Sequence, residues 1–147
     1  MIAVLAFSCK PKEKPEAFDP GPVPDVKLTD AEIKNGVLTP EILWKFGRVS
    51  DPQLSPDKKT IAYNVTLYST EKNRGFTHVY TIPAAGGEAK RITGGEFSCI
   101  NPRWTKDGSK IVFLSTETDT VGFWSMNPDG TEKSKISDMA NSVNAFK

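Results

Sequence analysis

Few residues in this chain have a type and placement that could do chemistry. The candidates are one histidine, His78, two cysteines, Cys9 and Cys99, and two aspartates at matching positions, Asp57 and Asp107. One histidine and two cysteines fall short of the usual four-ligand structural zinc site. His78 stands inside the stretch 77–82, which alternates like a strand, and reads as a satisfied strand histidine rather than a general base. Cys99 lies in the apolar patch Phe97-Ser98-Cys99-Ile100 and reads as a buried, inert thiol. Asp57 and Asp107 fall in polar turns, where a short carboxylate bonds its own backbone; this accounts for them without a bound cation. Gly86-Gly87 and Gly94-Gly95 lack the flanking pattern of a phosphate loop. No catalytic, metal or cofactor-binding residue is assigned, and no cofactor is implied.

Cys9 is the one residue to which a reaction can be attached. The run Met1-Ile2-Ala3-Val4-Leu5-Ala6-Phe7-Ser8 is unbroken apolar or small, and charge begins directly after Cys9 with Lys10, Lys12, Glu13, Lys14 and Glu16. A short apolar run ending in small residues is the back half of a secretory signal. With the cysteine following at once, residues 1–9 resemble a bacterial lipoprotein signal, in which the cysteine is acylated and becomes the mature N-terminus. Ala6 occupies the place where such signals usually carry leucine, and no basic segment precedes the apolar run, so the true start is expected upstream of Met1. The expectation is an exported protein, lipid-anchored through Cys9 in the periplasm or outer membrane.

The elements behind the cysteine fit that placement. Residues 10–27 carry Pro11, Pro15, Pro20, Pro22 and Pro24 among charges; proline removes donors and favours extended backbone, which suits a solvated tether. Two short helices are expected over 28–48. Thr29 with Glu32 has capping-box spacing and Asn35-Gly36 a stop; Thr39 with Pro40 repeats the start, with Leu28–Ile33 and Leu38–Leu43 as staple pairs. Ile42, Leu43 and Phe46 can share an apolar face, and Trp44 is expected to pack on the domain that follows. The whole chain has 19 basic and 18 acidic residues, a formal net charge of +1, which supplies no basic face for nucleic acid.

From Val49 the hydrophobic period becomes two. Residues 51–63 align with 101–113 at an offset of 50, each a short strand, a polar turn and an apolar strand. Third strands follow over 77–82 and 122–126, then glycine turns, then fourth strands ending Arg91-Ile92-Thr93 and Lys135-Ile136-Ser137. Four antiparallel strands at this period are a propeller blade. The expected fold is all-β, a partial β-propeller with blades over 49–95 and 96–140, and an extended hairpin in the first because 66–76 is long. Residues 141–147 read as the start of a third blade. Two blades cannot close a ring of four to eight, so the chain is expected to be a fragment of a larger propeller protein.

The run Leu38-Thr39-Pro40-Glu41-Ile42-Leu43-Trp44-Lys45-Phe46-Gly47-Arg48-Val49-Ser50-Asp51-Pro52-Gln53-Leu54-Ser55-Pro56-Asp57 resembles the opening of the propeller in the prolyl oligopeptidase family of serine peptidases, in the dipeptidyl- and acylaminoacyl-peptidase-like members of Bacteroidetes-type bacteria. The helix before the first S-P-D-x-K repeat is the specific part; the repeat itself also occurs in the periplasmic propeller of the Tol system. The resemblance implies a propeller that limits access to short peptides and a hydrolase domain bearing a Ser-Asp-His triad with a G-x-S-x-G elbow. No G-x-S-x-G occurs in this chain, so no catalytic residue is carried over. The partners implied are short peptides, through the complete protein, and a membrane, through Cys9. A non-enzymatic binding propeller of the Tol type is the alternative.

Overall fold

The computed structural model describes residues 27–138. Cys9, the tether and the expected start of a third blade lie outside the described residues. Two short helices, α1 (Asp30–Asn35) and α2 (Pro40–Trp44), precede eight strands. The strands are β1 (Arg48–Leu54), β2 (Thr60–Ser69), β3 (Arg74–Pro83), β4 (Lys90–Arg91), β5 (Cys99–Trp104), β6 (Ile111–Ser115), β7 (Gly122–Met126) and β8 (Ser134–Asp138). They form two four-stranded sheets in chain order, β1-β2-β3-β4 and β5-β6-β7-β8, with every neighbouring pair antiparallel.

The helix starts are where the caps place them. Thr29 Oγ1 accepts from the Glu32 amide at 3.3 Å, and the Glu32 carboxylate accepts from the Thr29 amide at 2.8 Å, a complete capping box. Thr39 caps α2, with Pro40 at its first turn. The expected apolar faces are another matter. Ile42 is buried, but Ile33, Leu38, Leu43 and Phe46 are all exposed. Helices of six and five residues offer only one side each, and α2 rests on β2. Gly47 permits that contact: a Cβ there would stand 2.7 Å from Val65 Cγ1.

The repeat is reproduced at atomic detail. Asp51 and Asn101 both take positive φ, 50° and 56°, and each sits where the first two strands of its sheet slip register. Both are therefore the same β-bulge, followed by Pro52 and Pro102. The next turn repeats too. Ser55 N donates to Thr60 O at 2.8 Å, and Thr105 N to Lys110 O at 2.9 Å. Lys58 and Gly108 hold the left-handed position of these turns, with φ of 61° and 72°. The first hairpin is extended: β2 and β3 have ten residues each, against five each in β6 and β7. The fourth strand of the first sheet is shorter than its apolar pattern implies. Only Lys90 and Arg91 count as strand; Ile92 and Thr93, fully buried, still hold β3, the Ile92 amide donating to Val79 O at 2.9 Å and the Val79 amide to Thr93 Oγ1 at 2.8 Å.

The sheets share one core. Ala62, Val79, Ile92, Cys99, Ile111, Phe113 and Met126 form a buried cluster drawn from both, with Phe97, Trp104 and Trp124 packed on it. Polar atoms cross the same interface. The buried Asn64 side chain on β2 donates to Cys99 O at 3.0 Å and His78 O at 3.3 Å, and accepts from the Asn101 amide at 3.1 Å. Trp104 Nε1 donates to Gln53 O at 3.0 Å, and Arg103 pairs with Asp51 at 2.7 Å.

Asn64→Ala would leave the Cys99 carbonyl and the Asn101 amide without this partner inside the interface. In the full-length protein it is expected to cost about 2–4 kcal/mol, read from the denaturant midpoint. Lys58→Gly relieves a left-handed non-glycine and should add about 0.5–1 kcal/mol in the same measurement.

Candidate functional site

The residues singled out for chemistry do not converge. His78 lies on β3, 2% exposed, and its Nδ1 makes no hydrogen bond among the described residues. Desolvation, with the positive charges of Arg91 and Lys133 nearby, lowers its pKa to about 4, so the imidazole is neutral at ordinary pH. Among the described residues no carboxylate or nucleophile is in hydrogen-bond contact with it. Cys99 is buried, its Sγ is 3.6 Å from Ser115 Oγ, and burial pushes the thiol pKa up, the opposite of an activated thiolate.

The two aspartates serve their own turns. Asp57 Oδ1 accepts from Ser55 Oγ at 2.6 Å and from the Lys59 amide at 3.1 Å. Asp107 accepts from Ser109 Oγ at 2.8 Å and from the Ser109 amide at 3.2 Å. Hydrogen bonds from the side chains of Thr105 and Ser109 hold the Asp107 carboxyl at about 2, and the Ser55 hydroxyl lowers that of Asp57. Among the described residues no group of three or more histidine, cysteine or acidic side chains is placed to hold a metal ion. None of the described helices is long and apolar enough to cross a membrane.

One surface feature does gather polar and aromatic groups from several elements. A groove of about 420 Å3 at the tip of the extended hairpin is lined by Trp44, Tyr68, Ser69, Asn73, Arg74 and Gly75, among others. Trp44 and Tyr68 meet at 5.1 Å between ring centroids, and the Arg48 guanidinium lies 4.4 Å from the Tyr68 centroid and 5.2 Å from that of Trp44. Gly75 lets the Tyr68 ring lie across the ladder, since a Cβ there would be 3.1 Å from its edge. Trp44 thus packs on the sheet as expected, while staying 44% exposed. Arg48, Tyr68 and Arg74 carry no motif. The only sequence signal for them is the hairpin's length, which puts the tip beyond β1 and beside α2.

No family model matches the chain. Curated relatives do, two of them as follows. Dipeptidyl-peptidase 5 of Porphyromonas endodontalis is 27% identical over 122 residues, 83% of this chain and 18% of that protein. Dipeptidyl-peptidase 5 of Porphyromonas gingivalis is 38% identical over 80 residues, 54% of this chain and 12% of that protein. The chain therefore spans less than a fifth of the relatives it matches. Among solved structures, an acylaminoacyl peptidase in complex with Z-Gly-Gly-Phe-chloromethyl ketone superposes with TM-score 0.57 at 26% identity, over 67% of this chain and 15% of that one. The β-propeller domain of the trilobed protease of Pyrococcus furiosus, at 21% identity and TM-score 0.54 over 69% of this chain and 31% of that one, shows the fold. A protein described as a putative TolB from Agrobacterium tumefaciens matches at 25% identity and TM-score 0.51, over 63% of this chain and 34% of that one.

The class these matches define is a partial β-propeller, two four-stranded blades that do not close. Within it, the named relatives support a segment of a prolyl oligopeptidase-family peptidase.

The His78 environment sets a pH dependence. Its folded pKa, about 4, lies below the ordinary 6.5, so the unfolded chain takes up a proton first as pH falls. The stability this group contributes is present above pH 6.5 and is lost between 6.5 and 4, a loss on the order of 2 kcal/mol after solvent screening. Urea midpoints of the full-length protein across that window should fall with pH, and His78→Gln should flatten the slope.

Proposed function

We propose that this chain is the opening propeller segment of an exported serine peptidase of the dipeptidyl or acylaminoacyl type. Its blades help gate the access of short peptides to a hydrolase domain carried elsewhere in the protein. The observation that carries this reading is the similarity to dipeptidyl-peptidase 5 over 83% of the chain, together with an acylaminoacyl peptidase among the structures it superposes on. In this role the described residues do no bond chemistry. They supply a rigid wall: two sheets locked by a shared core and a buried amide. Acylation at Cys9 would tether the assembly to a membrane, with residues 10–27 as the stand-off.

A second reading is a binding propeller of the Tol type, favoured by the match to the TolB-like structure. The two readings differ in whether the complete protein holds an activated serine. A fluorophosphonate probe on folded full-length protein is expected to label one serine, and mass spectrometry of the mature N-terminus to find a lipidated Cys9. A folded protein that takes no label would favour the binding propeller. An unmodified Met1 at the mature N-terminus would remove the anchor.

A further inference from the structure

We propose that the groove at the tip of the β2–β3 hairpin is a binding site for a peptide carboxylate, with the Trp44–Tyr68 pair as an apolar wall and two charge partners, Arg74 in its lining and Arg48 beside it, stacked on that pair. This rests on the peptidase reading only for the class of ligand, a short peptide. The cationic character of the groove is independent of it.

The charge is the first observation. Arg48 and Arg74 form no ion pair among the described residues, a property they share with exposed lysines such as Lys34, Lys58 and Lys106. What sets the two arginines apart is that both lie over aromatic rings, Arg48 on Tyr68 and Trp44, Arg74 4.6 Å from the Phe76 centroid. Glu96 feels the charge of Arg74 but is held by Lys72. A guanidinium stacked by its face keeps its N–H edge available, and five donors in a planar fork suit a carboxylate. Stacking also restrains the side chain, so less freedom is lost when a ligand is bound.

The groove is the second observation. At about 420 Å3 it falls within the range of small-ligand sites. Its wall is mixed in the way a peptide needs. Trp44 and Tyr68 offer aromatic surface, while Ser69, Thr70 and Asn73 offer hydroxyl and amide groups that can meet a peptide backbone. The walls come from α2, β2, the hairpin turn and β3, and Gly47 and Gly75 are the two places where the backbone must be bare for them to meet.

The carboxylate can be a free α-carboxylate or an acidic side chain, and the probes separate these. The protein is full-length, treated beforehand with a fluorophosphonate so that no peptide is consumed, and binding is followed calorimetrically. Ala-Ala-Phe is compared with its C-terminal amide and with Ala-Glu-Phe amide. The free acid is expected to bind about tenfold more tightly than the plain amide, and Arg48→Met and Arg74→Met each to remove about that advantage. Tight binding of the free acid alone assigns the α-carboxylate; equal binding of Ala-Glu-Phe amide assigns any carboxylate. Equal affinity of Ala-Ala-Phe and its amide, or an affinity untouched by both substitutions, overturns the site. Arg48 and Arg74 are exposed, and unfolding midpoints matching the parent protein confirm intact folding; Asn73→Ala gives a second variant at the turn. A protein that takes no fluorophosphonate label but still prefers the free acid would keep the carboxylate site while removing the peptidase reading.

Discussion

The arrangement of the two blades depends on one buried amide. Asn64 is 2% exposed, and its side chain bonds to the backbone of β3 within its own sheet and to Cys99 and Asn101 at the start of the next. An apolar core drives the sheets together but is tolerant of sliding, since contact area has no direction. A buried amide that must satisfy its donors and acceptor together is not tolerant. It fixes β2 against β5 at the bulge, where Asn101 takes positive φ. Trp104 on Gln53 and Arg103 on Asp51 hold the same seam farther along.

That seam explains why the repeat is more than a pattern. Asp51 and Asn101 are equivalent bulge positions, yet they do different work. Asn101 lends its amide to Asn64 of the preceding blade, whereas the Asp51 carboxylate receives Arg103 of the following one. Each blade presents one side to its neighbour before it and another to its neighbour after it. Repetition with such two-sided contacts produces a propeller, and it also leaves two blades with open sides.

Much of the fold was legible because its signals are local. Period-two stretches and Asp107-Gly108 identify strands and turns from near neighbours, and the repeat at 50 residues identifies the blades because the same local pattern recurs. The cap residues Thr29 and Thr39 place both helix starts for the same reason. The helix faces were less legible. Ile33, Leu38, Leu43 and Phe46 have the spacing of buried residues but stay exposed in the described chain, because burial is decided by what lies opposite. The fourth strand of the first sheet is short on similar grounds: past Arg91, Ile92 joins the shared core and a side-chain hydroxyl, Thr93 Oγ1, takes over the Val79 amide.

By itself, the amino-acid sequence determined the class of architecture, the repeat, the turn chemistry of Asp57 and Asp107, and the absence of a G-x-S-x-G elbow from these 147 residues. It also marked His78 and Cys99 as structural, because an alternating or apolar surround already implies burial. Only the tertiary structure decided that Asn64 joins the blades, that Trp44, Tyr68 and Arg74 line one groove, and that Arg48 stacks on its two rings. Those residues come from a helix and three strands with no common spacing, and their meeting depends on the ten-residue arms of one hairpin passing beside α2. Proximity of that kind is set by how elements pack, a property no local pattern records.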